Sequence, residues 1–219
     1  MRLDRNADLQ NETSVELSIV MPCLNEAQTI GTCIEKARSF VDKSGILAEV
    51  IVADNGSTDG SVEIAVRQGA IVEYVARPGY GAALNGGIER ARGRYVIFAD
   101  ADDSYDFSDL MPLVDKLREG HDLVIGDRFG GQIEEGAMPP MHRYVGNPIL
   151  SGIGRFLYKS PVQDFHCGLR GLRREIYPQL QLKSDGMEFA SEMIVKATML
   201  GMRIAEVPIT CLLYTSPSP

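Results

Sequence analysis

Apolar residues along the chain alternate between short unbroken runs and stretches in which they recur every three or four positions. Runs at 17–22, 49–54, 70–75, 95–100 and 122–127 read as strands, the first stopping at Pro22 and the fourth running into carboxylates. After the first run, Ala27, Ile30, Ile34, Ala37 and Val41 recur at helical spacing. Val62, Ala65 and Val66 give a shorter helix over 61–68, which Gly69 ends, and the small residues of 82–91 give another. Leu110, Leu113, Val114 and Leu117 mark a helix over 109–119, with Pro112 in its first turn, where a missing N–H costs little. Beyond the fifth strand, 129–141 is a loop rich in Gly, Glu and Pro, and 142–158 is helical with a break or kink at Pro148. Residues 164–172 are extended, and Phe189, Met193, Ala197 and Leu200 line one face of a helix over 186–200. A last strand, 203–207, is ended by Pro208.

Strands and helices alternating at these lengths predict right-handed βαβ units, hence an α/β fold with a mostly parallel sheet flanked by helices. The 219 residues fit one domain with a sizeable core, and no internal boundary stands out. The polar stretch 1–16 lacks both patterns and reads as a flexible leader; the domain spans 17–210.

Carboxylates stand where strands end: Glu26 past the first, Asp54 on the second, Asp100 and Asp102 on the fourth. In open α/β sheets, ligands bind outside those strand ends. If strand geometry persists through Asp100-Ala101-Asp102, the two aspartates share a face, and one keeps its proton unless a cation lies between them. The competing reading is an acidic loop that caps the following helix.

Charge narrows the partners. A net charge of −8 argues against a general nucleic-acid binder, and an anionic ligand would need a metal or locally placed arginines. Cys23, Cys33, Cys167 and Cys211 show no CxxC spacing and read as small buried hydrophobes of a reducing compartment. No signal peptide and no run of roughly 18 apolar residues is present, so the chain reads as cytoplasmic. Gly79 and Gly81 lack the spacing of a phosphate-binding P-loop. His166 beside Cys167 has no partners in the sequence for a metal and reads as a packing residue.

Several motifs in order carry a family resemblance: Pro22-Cys23-Leu24-Asn25-Glu26, Asp54-Asn55-Gly56-Ser57-Thr58-Asp59-Gly60, Asp100-Ala101-Asp102, Gly126-Asp127-Arg128-Phe129, Asp164-Phe165-His166-Cys167-Gly168-Leu169-Arg170, Glu192, and Glu206-Val207-Pro208-Ile209. Over about residues 17–210 the chain resembles a family 2 glycosyltransferase, and within it the dolichyl-phosphate mannose synthase-like branch that loads sugars onto polyprenyl phosphates. The resemblance implies a GT-A type, Rossmann-like fold, a UDP- or GDP-sugar donor, Mg²⁺ or Mn²⁺ as cofactor, and inverting transfer to a lipid phosphate at the inner face of a membrane.

It also implies roles. Pro22, Leu24, Glu26, Asp54, Arg77, Asp100, Ala101, Arg128 and Arg143 are the expected donor-binding residues. Asp100 and Asp102, with Ser104 as a weaker third, are the expected metal ligands, oxygen donors that suit a hard cation. Asp103 is read as a helix cap. Asp164, Arg170 and Glu192 belong to the acceptor side, and Asp102, Arg128 and Asp164 are the expected catalytic residues. A phosphate acceptor is already anionic and needs no base, whereas a sugar hydroxyl would need one, for which Asp164 is the first candidate. Residues 211–219 depart from the family pattern and read as an atypical tail, truncated or foreign. Two competitors remain: a nucleotide-sugar-binding module without transfer, and a nucleotidyltransferase, whose glycine-rich basic loop after the first strand is absent here.

Overall fold

The computed structural model describes residues 14–133 and 162–212. Their seven strands form one sheet in the order β3-β2-β1-β4-β6-β5-β7. The central strands β1 (Leu17–Cys23), β2 (Ala48–Asp54) and β4 (Tyr95–Phe98) are buried almost throughout, which is why they read as continuous apolar runs instead of alternating ones. β1 pairs in parallel with β2 and β4, and β2 with the short edge strand β3 (Ile71–Tyr74). From the seam between β1 and β4 the chain runs outward through β2 to β3 on one side, and on the other it restarts at β4, with β6 inserted before β5. That seam is a topological switch point, where an open α/β sheet leaves a crevice beyond the strand ends.

Helix α1 (Ile30–Ser44) buries Ile30, Ile34 and Ala37 of the periodic set together with Cys33 and Phe40, while Ala27 precedes the helix and Val41 is half-buried; it ends at Gly45 in the left-handed conformation. α2 (Ser61–Arg67) and α4 (Met111–Arg118) also fall where the spacing places them, within three residues at every end. α3 (Tyr80–Arg90) buries Gly81, Ala82, Ala83, Leu84, Gly87 and Ile88, small side chains that let it lie close on β1 and β2.

The second half differs more from expectation. β6 (Arg170–Arg173) is antiparallel to both β4 and β5, and only the last three residues of the expected 164–172 extended segment join it. β5 (Leu123–Ile133) continues six residues past the expected end, into the stretch read as loop. Between Asp127 and Gln132 its pairing with β7 shifts register, so Arg128–Gly131 bulge out of the ladder. β7 (Ile204–Cys211) passes straight through Pro208, which was expected to end it; β7 is an edge strand, where a missing N–H is tolerated. Cys211 lies in this strand and the Leu212 N–H reaches the Ser104 carbonyl at 3.0 Å, so the sheet takes in the start of the stretch read as a tail.

A 3₁₀ turn at Arg174–Ile176 and the short helix α5 (Tyr177–Leu180) were not legible in the spacing. Helix α6 (Phe189–Met199) then folds back over the sheet, with Phe189 edge-on to Phe98 of β4 at 6.3 Å between ring centres. The expected helix at 142–158 lies outside the described residues. No helix among the described residues is long and apolar enough to cross a membrane.

Candidate functional site

The first two motifs form one structure. Asn25, with φ of 60°, turns the chain after β1, and its Oδ1 accepts the Thr58 N–H at 2.9 Å. Asp59 accepts the N–H groups of Ala27 and Ser61 at 2.9 and 3.0 Å, and Ser61 Oγ accepts the Glu26 N–H at 2.8 Å. Asp54, almost fully buried, accepts the N–H groups of Gly56 and Ser57 and so builds the turn after β2. Asn55 then reaches sideways: its Nδ2 donates to the carbonyls of Val75 and Arg77, and its Oδ1 accepts the Gly79 N–H at 2.7 Å. The glycine-containing turn before α3 is thereby fixed to the end of β2.

β4 stops at Phe98, so the strand does not continue through the acidic cluster. Asp103 instead takes a left-handed φ of 64° and pairs with Lys36 of α1 at 2.7 Å, rather than capping a helix; α4 begins only at Met111. Asp102 Oδ1 accepts the Ser104 N–H at 2.9 Å, and Cys33 Sγ donates to the Ala101 carbonyl at 3.4 Å. Burial, followed by the charge of Asp102, raises the Asp100 carboxyl to about 6, against the opposing pull of a Tyr80 hydrogen bond, Arg170 and Arg128. Burial also raises Glu26, with Asp102 and Asp59 adding to it and Thr29 opposing. Negative charge is thus concentrated where β1 and β4 end.

That concentration is what a divalent cation would relieve. Two carboxylates suit Mg²⁺ or Mn²⁺, which bind through one or two such groups and complete their shell with waters and substrate phosphates. No set of three or more His, Cys, Asp or Glu side chains forms a closed metal cage among the described residues. Asp100 and Asp102 therefore fit a cation shared with a ligand, rather than a structural metal.

At the far side of β4, the β5 bulge carries Arg128 onto Asp164. Arg128 Nε and a terminal nitrogen grip the two carboxylate oxygens at 2.6 and 2.8 Å, with Asp164 fully buried. Asp164 also accepts the His166 N–H, and Glu206 of β7 accepts the N–H groups of Gln163 and Asp164 at 2.7 and 3.0 Å. Burial acts to lower the Arg128 guanidinium, but its fork on Asp164 outweighs that and holds the proton more tightly than usual. Arg170 is buried too, and donates to the carbonyls of Cys167, Ala190 and Phe165. Burial lowers it below the ordinary arginine range. Gly168 passes so near Asp100 that a Cβ there would stand 2.6 Å from the Asp100 carboxylate, while its N–H donates to the Tyr105 hydroxyl at 2.8 Å.

A cleft of about 420 Å³ opens at the switch point. Of the expected residues, Pro22, Leu24, Glu26, Asp100, Ala101 and Asp102 line it. The other described ones stand elsewhere. Arg77 pairs with Asp185 at 2.5 Å and lines a neighbouring cavity, so it does not face the cleft as expected. Ser104 lends its backbone N–H to Asp102 and is not in the lining. Arg170 is an internal brace, not an exposed acceptor contact. Glu192 accepts the N–H groups of Lys183 and Ser184 and pairs with Lys196, which turns it into an anchor for the segment before α6. Asp164 has no exposed oxygen with which to act as a base; it positions Arg128. Arg143 lies outside the described residues.

Asn55, Tyr80 and Met187 also line the cleft and were missed from the sequence, as was the role of Glu206. Asn55 and Glu206 sit inside motifs that were noticed; Tyr80 and Met187 carried no signal beyond their proximity to glycine. His166 is exposed beside the Arg128–Asp164 pair, contrary to the packing role expected of it. All four cysteines are buried thiols, and burial raises Cys33 and Cys167 to about 12.

Comparisons with known proteins agree with this geometry. The family model described as glycosyl transferase family 2 matches residues 18–180. The chain is 44% identical over 195 residues to a low-salt glycan biosynthesis hexosyltransferase of Haloferax volcanii, covering 89% of this chain and 47% of that protein. It is 33% identical to a dolichyl-phosphate hexose transferase of the same organism, covering 89% of this chain and 82% of that one. It thus spans about half of the first relative's length, and most of the second's. A solved structure of glucosyl-3-phosphoglycerate synthase from Mycobacterium tuberculosis, in complex with Mn²⁺, UDP and phosphoglyceric acid, superimposes with a TM-score of 0.74 at 26% identity, covering 96% of this chain and 74% of that one. The sheet and its flanking helices are of the GT-A type, and the chain belongs to glycosyltransferase family 2.

Proposed function

We propose that the cleft binds a nucleoside diphosphate sugar and that the chain transfers its hexose, with inversion, to a polyprenyl phosphate. The single observation that carries this reading is the pair Asp100 and Asp102 in a cleft at the switch point between β1 and β4. Glu26 and the turn built by Asp54 and Asn55 border the nucleoside end, where carboxylate and amide oxygens accept hydrogen bonds from ribose hydroxyls and base N–H groups. Asp100 and Asp102 would hold the divalent cation, which when bound neutralises the diphosphate and makes it a better leaving group.

The acceptor phosphate oxygen attacks the anomeric carbon as the bond to the diphosphate breaks, a single displacement that inverts the centre. Such a nucleophile is anionic near neutral pH and needs orientation rather than a base. Asp164, fully engaged by Arg128 and the His166 N–H, favours this over a hydroxyl acceptor that would need its carboxylate. The relative named dolichyl-phosphate hexose transferase supports the acceptor class, and the Mn²⁺ and UDP complexes of the structural neighbour support the donor and cation. The reaction would take place at the inner face of a membrane, where the lipid phosphate resides.

Incubation with labelled UDP-glucose or GDP-mannose, Mn²⁺ and polyprenyl phosphate tests the proposal. The expected result is label in the lipid phase that chelation with EDTA abolishes. Metal-dependent donor binding with no label in lipid would favour a binding module, and label moved to a soluble sugar would favour a hydroxyl acceptor.

A further inference from the structure

Met187 is the one cleft-lining residue carried by the segment that precedes α6, and its side chain is 69% exposed although it is apolar. A single exposed methionine is ordinary on a protein surface. What distinguishes this one is the anchoring of the backbone that carries it. Glu192 accepts the N–H groups of Lys183 and Ser184, and the Asp185 carbonyl accepts the Ala82 N–H at 3.1 Å. Asp185 also pairs with Arg77. The turn before α3 presses so closely on this segment that a Cβ at Gly79 or Gly81 would stand 2.3 Å from the Asp185 carbonyl oxygen or 2.4 Å from that of Ser184. That turn is itself tied by Asn55 to the end of β2. An apolar side chain left in solvent is therefore mounted on backbone held from three elements, at the rim of the cleft.

Its position along the cleft follows from what it adjoins. Two residues on, Phe189 packs edge-on against Phe98, the last residue of β4, and one further on the Ala190 carbonyl accepts from buried Arg170. Met187 thus stands between backbone packed on Gly79 and Gly81, which flank Tyr80, and a ring packed on the end of β4; Tyr80 in turn hydrogen-bonds Asp100, while Glu26 follows β1 and Asn55 follows β2. With the diphosphate at the carboxylate pair and the nucleoside toward β2, what remains at Met187 is the hexose. We infer that Met187 packs against the apolar face of the donor hexose and contributes to the choice of sugar. This rests on the donor-cleft reading above. A flexible thioether on a rigid mount suits a pyranose face, to which it adapts without offering a hydrogen bond.

The test compares sugar-dependent with nucleotide-dependent binding. The unaltered chain, Met187→Ala and Met187→Leu are each titrated in Mn²⁺ with UDP-glucose, GDP-mannose, UDP and GDP. Exposure of the side chain leaves folding unaffected by either substitution, which thermal melts check. The expected result is that Met187→Ala weakens the bound sugar nucleotide about tenfold, the order expected for losing one buried apolar side chain, leaves the free diphosphate unchanged, and that Met187→Leu restores most of the difference. Equal weakening of diphosphate and sugar nucleotide, or no weakening of either, overturns the inference while leaving the donor cleft intact. Failure of the unaltered chain to bind any of the four ligands would overturn the donor-cleft reading and this inference with it.

Discussion

Asp100 shows how far a residue's chemistry depends on neighbours distant in sequence. Its carboxyl lies raised to about 6 because it is half-buried and faces Asp102, and Gly168 and Tyr80 close around it. A carboxylate must be ionised to hold a cation, so its coordinating form is favoured above that value and is lost as the pH falls through it. Metal-dependent nucleotide binding should therefore weaken steeply between about pH 6.5 and 5, which titration across that range in Mn²⁺ would show; affinity constant down to pH 5 would contradict it. Arg128 and Asp164 make a second case. Removing the guanidinium strands a fully buried carboxylate, so Arg128→Ala should lower stability by about 3–5 kcal/mol in urea unfolding. Arg128→Lys, which keeps the charge but loses the planar fork, should fall between the two. From the sequence, the charge of Arg128, Asp164, Arg170 and Glu192 was plain but their partners were not. Each was assigned to a ligand, and each is used mainly by the protein itself. Arg128 and Asp164 lie 36 residues apart, and Arg170 and the Ala190 carbonyl 20, separations that spacing does not reveal.

At the scale of elements, apolar patterning was informative where an element has one reason to form. Strands β1, β2 and β4 are buried on both faces, and α1 and α4 have a single apolar face, so their patterns predicted them within a few residues. Patterning misled where position in the sheet overrides local preference. Pro208 is an effective strand breaker inside a sheet but stands on an edge strand here, and the glycine-rich end of β5 is a bulge rather than a loop. Residues 183–185 had no pattern at all, and the helix expected from 186 begins only at Phe189, because this segment is shaped by Glu192 and by contact with α3. Burial tends to raise Glu192, yet the Lys196 ion pair and the Ser184 and Lys183 N–H groups hold it down at about 2. With its folded value below the ordinary carboxylate value, this stabilisation is present above about pH 4.5 and is lost as the pH falls towards 2. Glu192→Ala should cost about 1–2 kcal/mol at pH 7, and the gap to the unaltered protein should close near pH 2. Urea midpoints at the two pH values measure this.

For the whole molecule, the switch point between β1 and β4 gathers motifs that lie some eighty residues apart in the chain, about the span from Pro22 to Asp102. Order of motifs was enough to point to the family, since each acidic group follows a strand of the same direction. The carboxylate end of the cleft was legible for that reason. The surroundings of Arg128 and Asp164 were less so, because they are assembled from an antiparallel insertion, a bulge and an edge strand, none of which leaves a periodic trace. On the proposed reading, Asp100 and Asp102 hold the diphosphate of a sugar nucleotide through a divalent cation. Calorimetric titration of UDP-glucose and GDP-mannose into the unaltered protein and Asp102→Asn, each with Mn²⁺ and with EDTA, tests it most directly. The expected result is binding of at least one donor by the unaltered protein in Mn²⁺ alone, weakened at least a hundredfold, about 3 kcal/mol, by chelation or by the substitution. Donor binding that is equally strong in EDTA and in Asp102→Asn would contradict it.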